Sequence, residues 1–250
     1  MIPVVKGWED WITEPHPAGP GSALKGDDKL LPSFPTSRAA MHGIASAIDH
    51  LGLLMDALHK TKTSRPFAYY TLARAAVFSS ARTIWVLSPT QRPERQKNGL
   101  WVAHEEARQR RALASLEREI RPETDTPERA QEWVDEVRLA GARLGIEWSR
   151  KPTDTAMIEA AAAWMDRDGR GQGQSPGQSL RLLWRIHSGY AHGLSWPTAG
   201  RPETVVRNPD GSGKVTIKAN IEDLGIAASV AMTTIRQAKA LYEERAANHR

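Results

Sequence analysis

From about residue 38 onward the chain is built of long runs in which apolar side chains return every three or four positions. Short breaks rich in proline, glycine and small polar residues separate them. In residues 38 to 60, Ile44, Ile48, Leu51 and Met55 keep this spacing and mark the core-facing stripe of a helix, which Thr36 and Ser37 are placed to cap. Pro66 opens a second run that closes near Ser88-Pro89, and a third follows Pro93 to about residue 120. Thr126-Pro127-Glu128 joins a capping hydroxyl, a first-turn proline and an early acid, which predicts a fourth helix with Gly145 as its natural end. An alanine-rich segment over 154 to 166 predicts a shorter fifth. The sixth covers 179 to 192 and stops at Gly193, with Pro197 beyond. A last helix begins after Asn220 and runs to about residue 247.

The breaks carry their own signals. Thr204-Val205-Val206-Arg207 and Lys214-Val215-Thr216-Ile217-Lys218 flank Asn208-Pro209-Asp210-Gly211-Ser212-Gly213, and short β-rich runs around a Pro-Asp-Gly turn predict a hairpin. The glycine-rich run from Asp168 to Gly177 lacks the Lys-Ser/Thr ending of a phosphate loop and no strand precedes it, so it reads as a flexible connector. Residues 1 to 35 are dense in proline and glycine. Pro15-His16-Pro17-Ala18-Gly19-Pro20-Gly21 sustains neither helix nor central strand, and the whole stretch is expected to be an extended arm pinned by Trp8 and Trp11. The expected fold is therefore all-α: residues 36 to 250 form an antiparallel bundle of six or seven helices, with one small β-hairpin (about 203 to 219) before the last.

Composition narrows the chemistry. With 250 residues, 40% hydrophobic and 25% charged, the chain has the balance of a globular protein rather than a disordered one. The absence of cysteine excludes a disulfide framework, a thiolate metal site and a cysteine nucleophile. The opening residues, Met1 to Trp8, have no apolar core behind a basic head, and no run approaches the roughly 18 to 20 apolar residues that span a bilayer. Neither a signal peptide nor membrane insertion is expected, and the cytoplasm is the expected compartment. The formal charge of +5 permits a polyanionic partner without requiring one.

The segment richest in chemistry is the sixth helix. At about 100° per residue, Arg181, Arg185, Ser188 and His192 fall on one narrow face, while Leu182, Leu183, Trp184, Ile186, Tyr190 and Ala191 make the rest apolar. A cationic stripe on a mostly buried helix must meet water, a carboxylate or a ligand, because an unpaired buried charge is too costly to keep. One outcome is structural. Asp49 on the first helix is available to pair with Arg185, or with Arg74 or Arg82 of the second helix, and His192 suits the negative end of a helix dipole. The other outcome is acid–base chemistry on a phosphodiester. A histidine that titrates near neutrality takes a proton from a ribose 2′-hydroxyl or gives one to the leaving oxygen, and an arginine binds the phosphate and stabilises its growing charge. That scheme needs neither metal nor cofactor.

Arg185-Ile186-His187-Ser188-Gly189-Tyr190-Ala191-His192 resembles the Arg-(four to six residues)-His motif of HEPN proteins, and Arg181 to His187 fits the same spacing. The resemblance implies a small helical bundle and a metal-independent ribonuclease of the toxin–antitoxin or phage-defence kind. It implies Arg185 and His192 as the catalytic pair, with Ser188 orienting the site, RNA as substrate and a homodimer. More widely, Arg74-Ala75-Ala76 with Trp85-Val86-Leu87-Ser88-Pro89, then Ser188-Gly-Tyr-Ala-His-Gly-Leu-Ser-Trp196, looks like uncharacterised actinobacterial helical proteins. The alternative function is a non-catalytic helical module that binds a partner protein or small ligand, its stripe a buried polar network.

Other constellations are weaker. His42, His50 and His59 lie on one helix but no two are four apart, so no zinc site is expected, and no Gly-x-Ser-x-Gly elbow supports a serine hydrolase. Arg108, Arg110 and Arg111 are interleaved with Glu105, Glu106 and Glu117, the pattern of a solvated charged face. Trp85, Trp101, Trp133, Trp164 and Trp184 fall within predicted helices and are expected in the core.

Overall fold

The structure is a computed structural model that describes residues 1–61, 65–121, 127–168, 175–198, 204–210, 212–216 and 220–248. Nine α-helices dominate the described residues: α1 (Ile2–Thr13), α2 (Ala23–Asp28), α3 (Thr36–Lys60), α4 (Pro66–Leu87), α5 (Arg92–Ile120), α6 (Pro127–Ala142), α7 (Asp154–Asp168), α8 (Pro176–Ala191) and α9 (Ile221–Ala246). A short 3-10 turn, Trp196–Thr198, follows α8. Strands β1 (Thr204–Arg207) and β2 (Gly213–Thr216) pair antiparallel, with Thr204 opposite Thr216 and Arg207 opposite Gly213. The fold class is all-α. Thr126, most of the glycine-rich connector (169–174) and Gly211 of the hairpin turn lie outside the described residues.

The chain divides into two compact units, each assembled from separated segments. The first comprises Met1–Pro15, Gly43–Arg82 and Ile158–Ala238; the second comprises His16–His42, Thr83–Met157 and Lys239–Arg250.

In the first unit the expected extended arm is corrected: residues 2 to 13 are helical. Pro3 is no obstacle, because it stands in the first turn, where backbone N–H groups have no intrahelical partner to lose. Val5 anchors α1 at 2% exposure and packs beside Gly52 of α3, whereas Trp8 and Trp11 are only half-buried. Of the α3 stripe, Ile44, Ile48 and Leu51 are fully buried, as its spacing predicts, and Met55 is half-buried; Ala73 and Val77 of α4, Ile158 of α7, Leu180 of α8 and Leu224 and Ile235 of α9 are buried in the same unit. The aromatic pairs Phe67–Tyr190, Tyr70–His187 and Phe78–Trp184 descend one helix as they climb the other, so α4 and α8 run antiparallel.

In the second unit residues 16 to 21 are free of helix, but α2 follows directly. Ser22 caps it by accepting from the Lys25 N–H at 3.1 Å, and Leu24 is fully buried. This stretch is held by hydrogen bonds from the end of α9: the Tyr242 hydroxyl donates to the His16 carbonyl at 2.6 Å, and the Gly19 N–H donates to the Ala246 carbonyl at 2.9 Å. Buried Asp27 receives two hydrogen bonds from Arg95, from Nε at 2.7 Å and Nη2 at 3.0 Å. Leu31, Leu100, Ala103, Val134 and Val137 form an apolar cluster between α5 and α6. Trp133 is an exception to the expected core tryptophans: it is 46% exposed, because the α6 face that packs on α5 is already filled by Ala130, Val134 and Val137. On α5, Arg108 pairs with Glu105 at 2.9 Å and Arg110 with Glu117 at 3.9 Å.

Candidate functional site

The start of α8 lies three residues earlier than its periodicity suggests. Ser175 accepts the Gln178 N–H at 3.2 Å, and Pro176 takes the first helical position. Asp166 of α7 reinforces this end by accepting from the Ser175 hydroxyl and from the Gly177 N–H at 2.8 Å. At the other end His192 is the capping residue, with Gly193 beyond it in the left-handed region at φ 67°. The Leu194 N–H returns to the Gly189 carbonyl at 2.9 Å and closes the helix. Gly189 is required for this return. A Cβ there would lie 2.9 Å from the Trp196 ring and closer still to Pro197, so the chain after α8 folds back onto a helix surface without a side chain.

The four stripe residues have different surroundings. Arg181 is bound to two carboxylates of α7, through Nε to Glu159 at 2.6 Å and Nη1 to Asp166 at 3.0 Å. These bonds raise the Arg181 pKa, while the Ser175 hydroxyl first and Arg181 second hold the Asp166 carboxyl below its usual range. Arg181 thus joins α7 to α8. Arg185 and His192 are exposed, and neither side chain has a hydrogen bond or ion pair to any of the described residues. Between them, Ser188 accepts a hydrogen bond from Arg74 Nε at 3.1 Å. The anticipated pairing of Asp49 with Arg185, Arg74 or Arg82 is not formed: Asp49 is exposed on α3 and takes part in no ion pair among the described residues.

Sequence spacing did not reveal what holds the arginines of α4. The Arg74 guanidinium lies over the Trp184 ring at 4.3 Å, Trp184 stacks on Phe78 at 5.4 Å, and Arg82 lies 5.8 Å from the Phe78 ring. The result is a ladder of cation, ring, ring, cation. The available signal was Arg74, Phe78 and Arg82 at steps of four along α4, which places all three on one face. An aromatic face stabilises a guanidinium by cation–π attraction and does not itself remove the charge. Ser188 stands one turn from His192, and Arg185 two turns, about 10 Å along the axis. The Ser188 hydrogen bond thus ties Arg74 to a position one turn of α8 from His192. The Trp196 side chain, half exposed, belongs to the turn that folds back beside them.

His187, the histidine of the second Arg-to-His spacing, lies elsewhere. It is buried against the Tyr70 ring at 4.8 Å and lines a cavity on another face of α8. Comparison with protein-family models, with curated proteins and with solved structures gave no match to this chain.

Proposed function

We propose that this chain acts on RNA as a HEPN-like, metal-independent ribonuclease, working on the α4–α8 face. The observation that carries the proposal is that Arg185 and His192 stand exposed, with no carboxylate partner among the described residues, on either side of the Arg74–Ser188 hydrogen bond. A salt-bridge network would hold those groups shut; among the described residues such pairs are made on the stripe by Arg181. In the proposed reaction His192 removes the proton of a ribose 2′-hydroxyl. The freed oxygen attacks the adjacent phosphorus, the bond to the 5′-oxygen breaks, and that oxygen takes a proton from water or from His192 of a second copy. Arg74 and Arg185 offset the charge that builds on the phosphate oxygens, and Ser188 positions Arg74. The half-exposed Trp196 ring offers a stacking surface for an unpaired base.

The test is incubation of the purified protein with mixed RNA in EDTA, beside His192→Ala. The expected result is fragments ending in 2′,3′-cyclic phosphate, reduced at least about a hundredfold by the substitution, the usual worth of an acid–base group. His192 is exposed at a helix end, so the variant should keep its helical circular dichroism. Cleavage that is unchanged in His192→Ala would sink the assignment.

A further inference from the structure

The opposite side of α8 carries a different chemistry. A cavity of about 170 Å³ opens between α4, α8 and α9 within the first unit. Leu182, Leu183 and Ile186 of α8 and Ile226 of α9 make its apolar wall. Leu182 and Ile226 stand at the mouth, 56% and 60% exposed, and leave an apolar rim open to the surface. The wall that α8 contributes is centred about 160° round the helix from the arginine–histidine stripe, so the two surfaces are separate.

We propose that this cavity binds a small neutral molecule built on a single apolar ring. Size sets the body, since an apolar cavity of about 150 Å³ accepts benzene. Charge is disfavoured in both signs. A cationic ligand would look to the Asp223 carboxylate, but Asp223 already takes part in an interaction within the protein, which the cation would have to displace. An anionic ligand meets no lysine or arginine among the described lining residues. A charge taken from water without a new partner keeps its full desolvation cost, whereas a neutral ring gains by leaving water. The other polar side chains point the same way. Tyr70 and His187 are engaged with one another, their rings 4.8 Å apart, so the ligand draws its affinity from the aliphatic wall rather than from them. Ser179 adds one hydroxyl to the lining, enough to orient a ligand that carries a single neutral polar group. The site stands independently of the ribonuclease proposal, because none of its lining residues belongs to the stripe.

Three single-ring probes of similar size decide the matter by ligand-observed NMR on the full chain: benzyl alcohol, benzylamine and phenylacetate. Benzyl alcohol is expected to bind with a Kd of about 1 mM, an ordinary strength for so small a molecule, with benzylamine and phenylacetate each at least about tenfold weaker. Leu182→Trp, made at an exposed position, should close the mouth and abolish binding of benzyl alcohol. Leu139→Trp, equally exposed but on α6 and outside the lining, should leave it unchanged. No binding of benzyl alcohol, a charged probe that binds as tightly, binding that survives Leu182→Trp, or equal loss from both substitutions would overturn the proposal. The ranking of the three probes on the unsubstituted protein tests it even if a variant fails to fold.

Discussion

His104 of α5 is stacked on Trp148 at 4.4 Å and meets the edge of Trp101 at 6.2 Å; it is 8% exposed, and its Nε2 has no hydrogen-bond partner among the described residues. Burial first, and the positive charge of Arg138 second, depress its pKa below the ordinary 6.5. Arg108 and Lys151 add to the depression and Glu105 opposes it. The unfolded chain therefore takes up the proton at a higher pH than the native protein does. Stability from this residue is complete above about pH 6.5 and falls as the pH drops from there toward the depressed native value. Denaturant midpoints at pH 7.5 and pH 5 should show a loss that is smaller in His104→Phe, which cannot titrate; an equal loss in both proteins would assign the effect to other groups. The Asp27–Arg95 pair belongs to the same scale. Burial pushes the Asp27 carboxyl upward while Arg95 pulls it back, and both side chains are almost wholly enclosed. Arg95→Met removes both of its hydrogen bonds and leaves the buried carboxylate facing Arg92 at 3.6 Å; it should cost about 3 kcal/mol by urea denaturation, against well under 1 kcal/mol for loss of an exposed pair such as Lys97–Glu94. Neither residue announced itself in the sequence. Asp27 stands among prolines and glycines and Arg95 in a polar first turn, 68 positions apart, and only the folded chain joins them.

Elements were more legible than single contacts, for a physical reason. The apolar stripes of α3, α4, α5 and α9 recur over many turns, so an error at one position leaves the assignment intact. Short helices have no such redundancy: α2 has six residues and was hidden by its proline-rich neighbours. Pro15, Pro17 and Pro20 act locally and leave the residues before them able to form α1, and Pro3 is tolerated in its first turn. On α8 angular spacing groups Arg181, Arg185, Ser188 and His192, but which arginine is tied down depends on where α7 places Glu159 and Asp166, and periodicity carries no such information. The end of α8 offers a test at this scale. Gly189→Ala places a methyl group where Trp196 and Pro197 pack, so those residues must shift or the helix end must open. The expected cost is about 1–3 kcal/mol in urea denaturation, the range for an overpacked site. In the ribonuclease assay the loss should exceed the fraction unfolded, because the displaced turn adjoins His192. A substitution as stable as the parent would show that the turn does not rest on this glycine.

For the whole molecule, a formal charge of +5 says little about where a polyanion would bind, since most of the arginines and lysines that form ion pairs are neutralised locally. The α4–α8 face differs in having Arg74 and Arg82 seated on aromatic rings and Arg185 exposed. If single-stranded RNA lies along it, three phosphates are neutralised and their counterions released. At about 0.7 ion per phosphate for a single strand, log K should fall with log salt at a slope near −2. Binding of a short single-stranded RNA to His192→Ala, which removes cleavage from the measurement, reads that slope between about 50 and 200 mM salt. Adding Arg185→Gln should reduce its magnitude by about 0.7 and weaken binding alike for every sequence, as expected of a phosphate contact. Adding Lys97→Gln, a residue already paired with Glu94, should leave the slope unchanged. Equal slopes with and without Arg185 would place the RNA on another part of the surface, and with it any cleavage chemistry. A slope that falls only with Arg185→Gln would instead locate the polyanion on α8, at the two-turn interval that separates this arginine from His192.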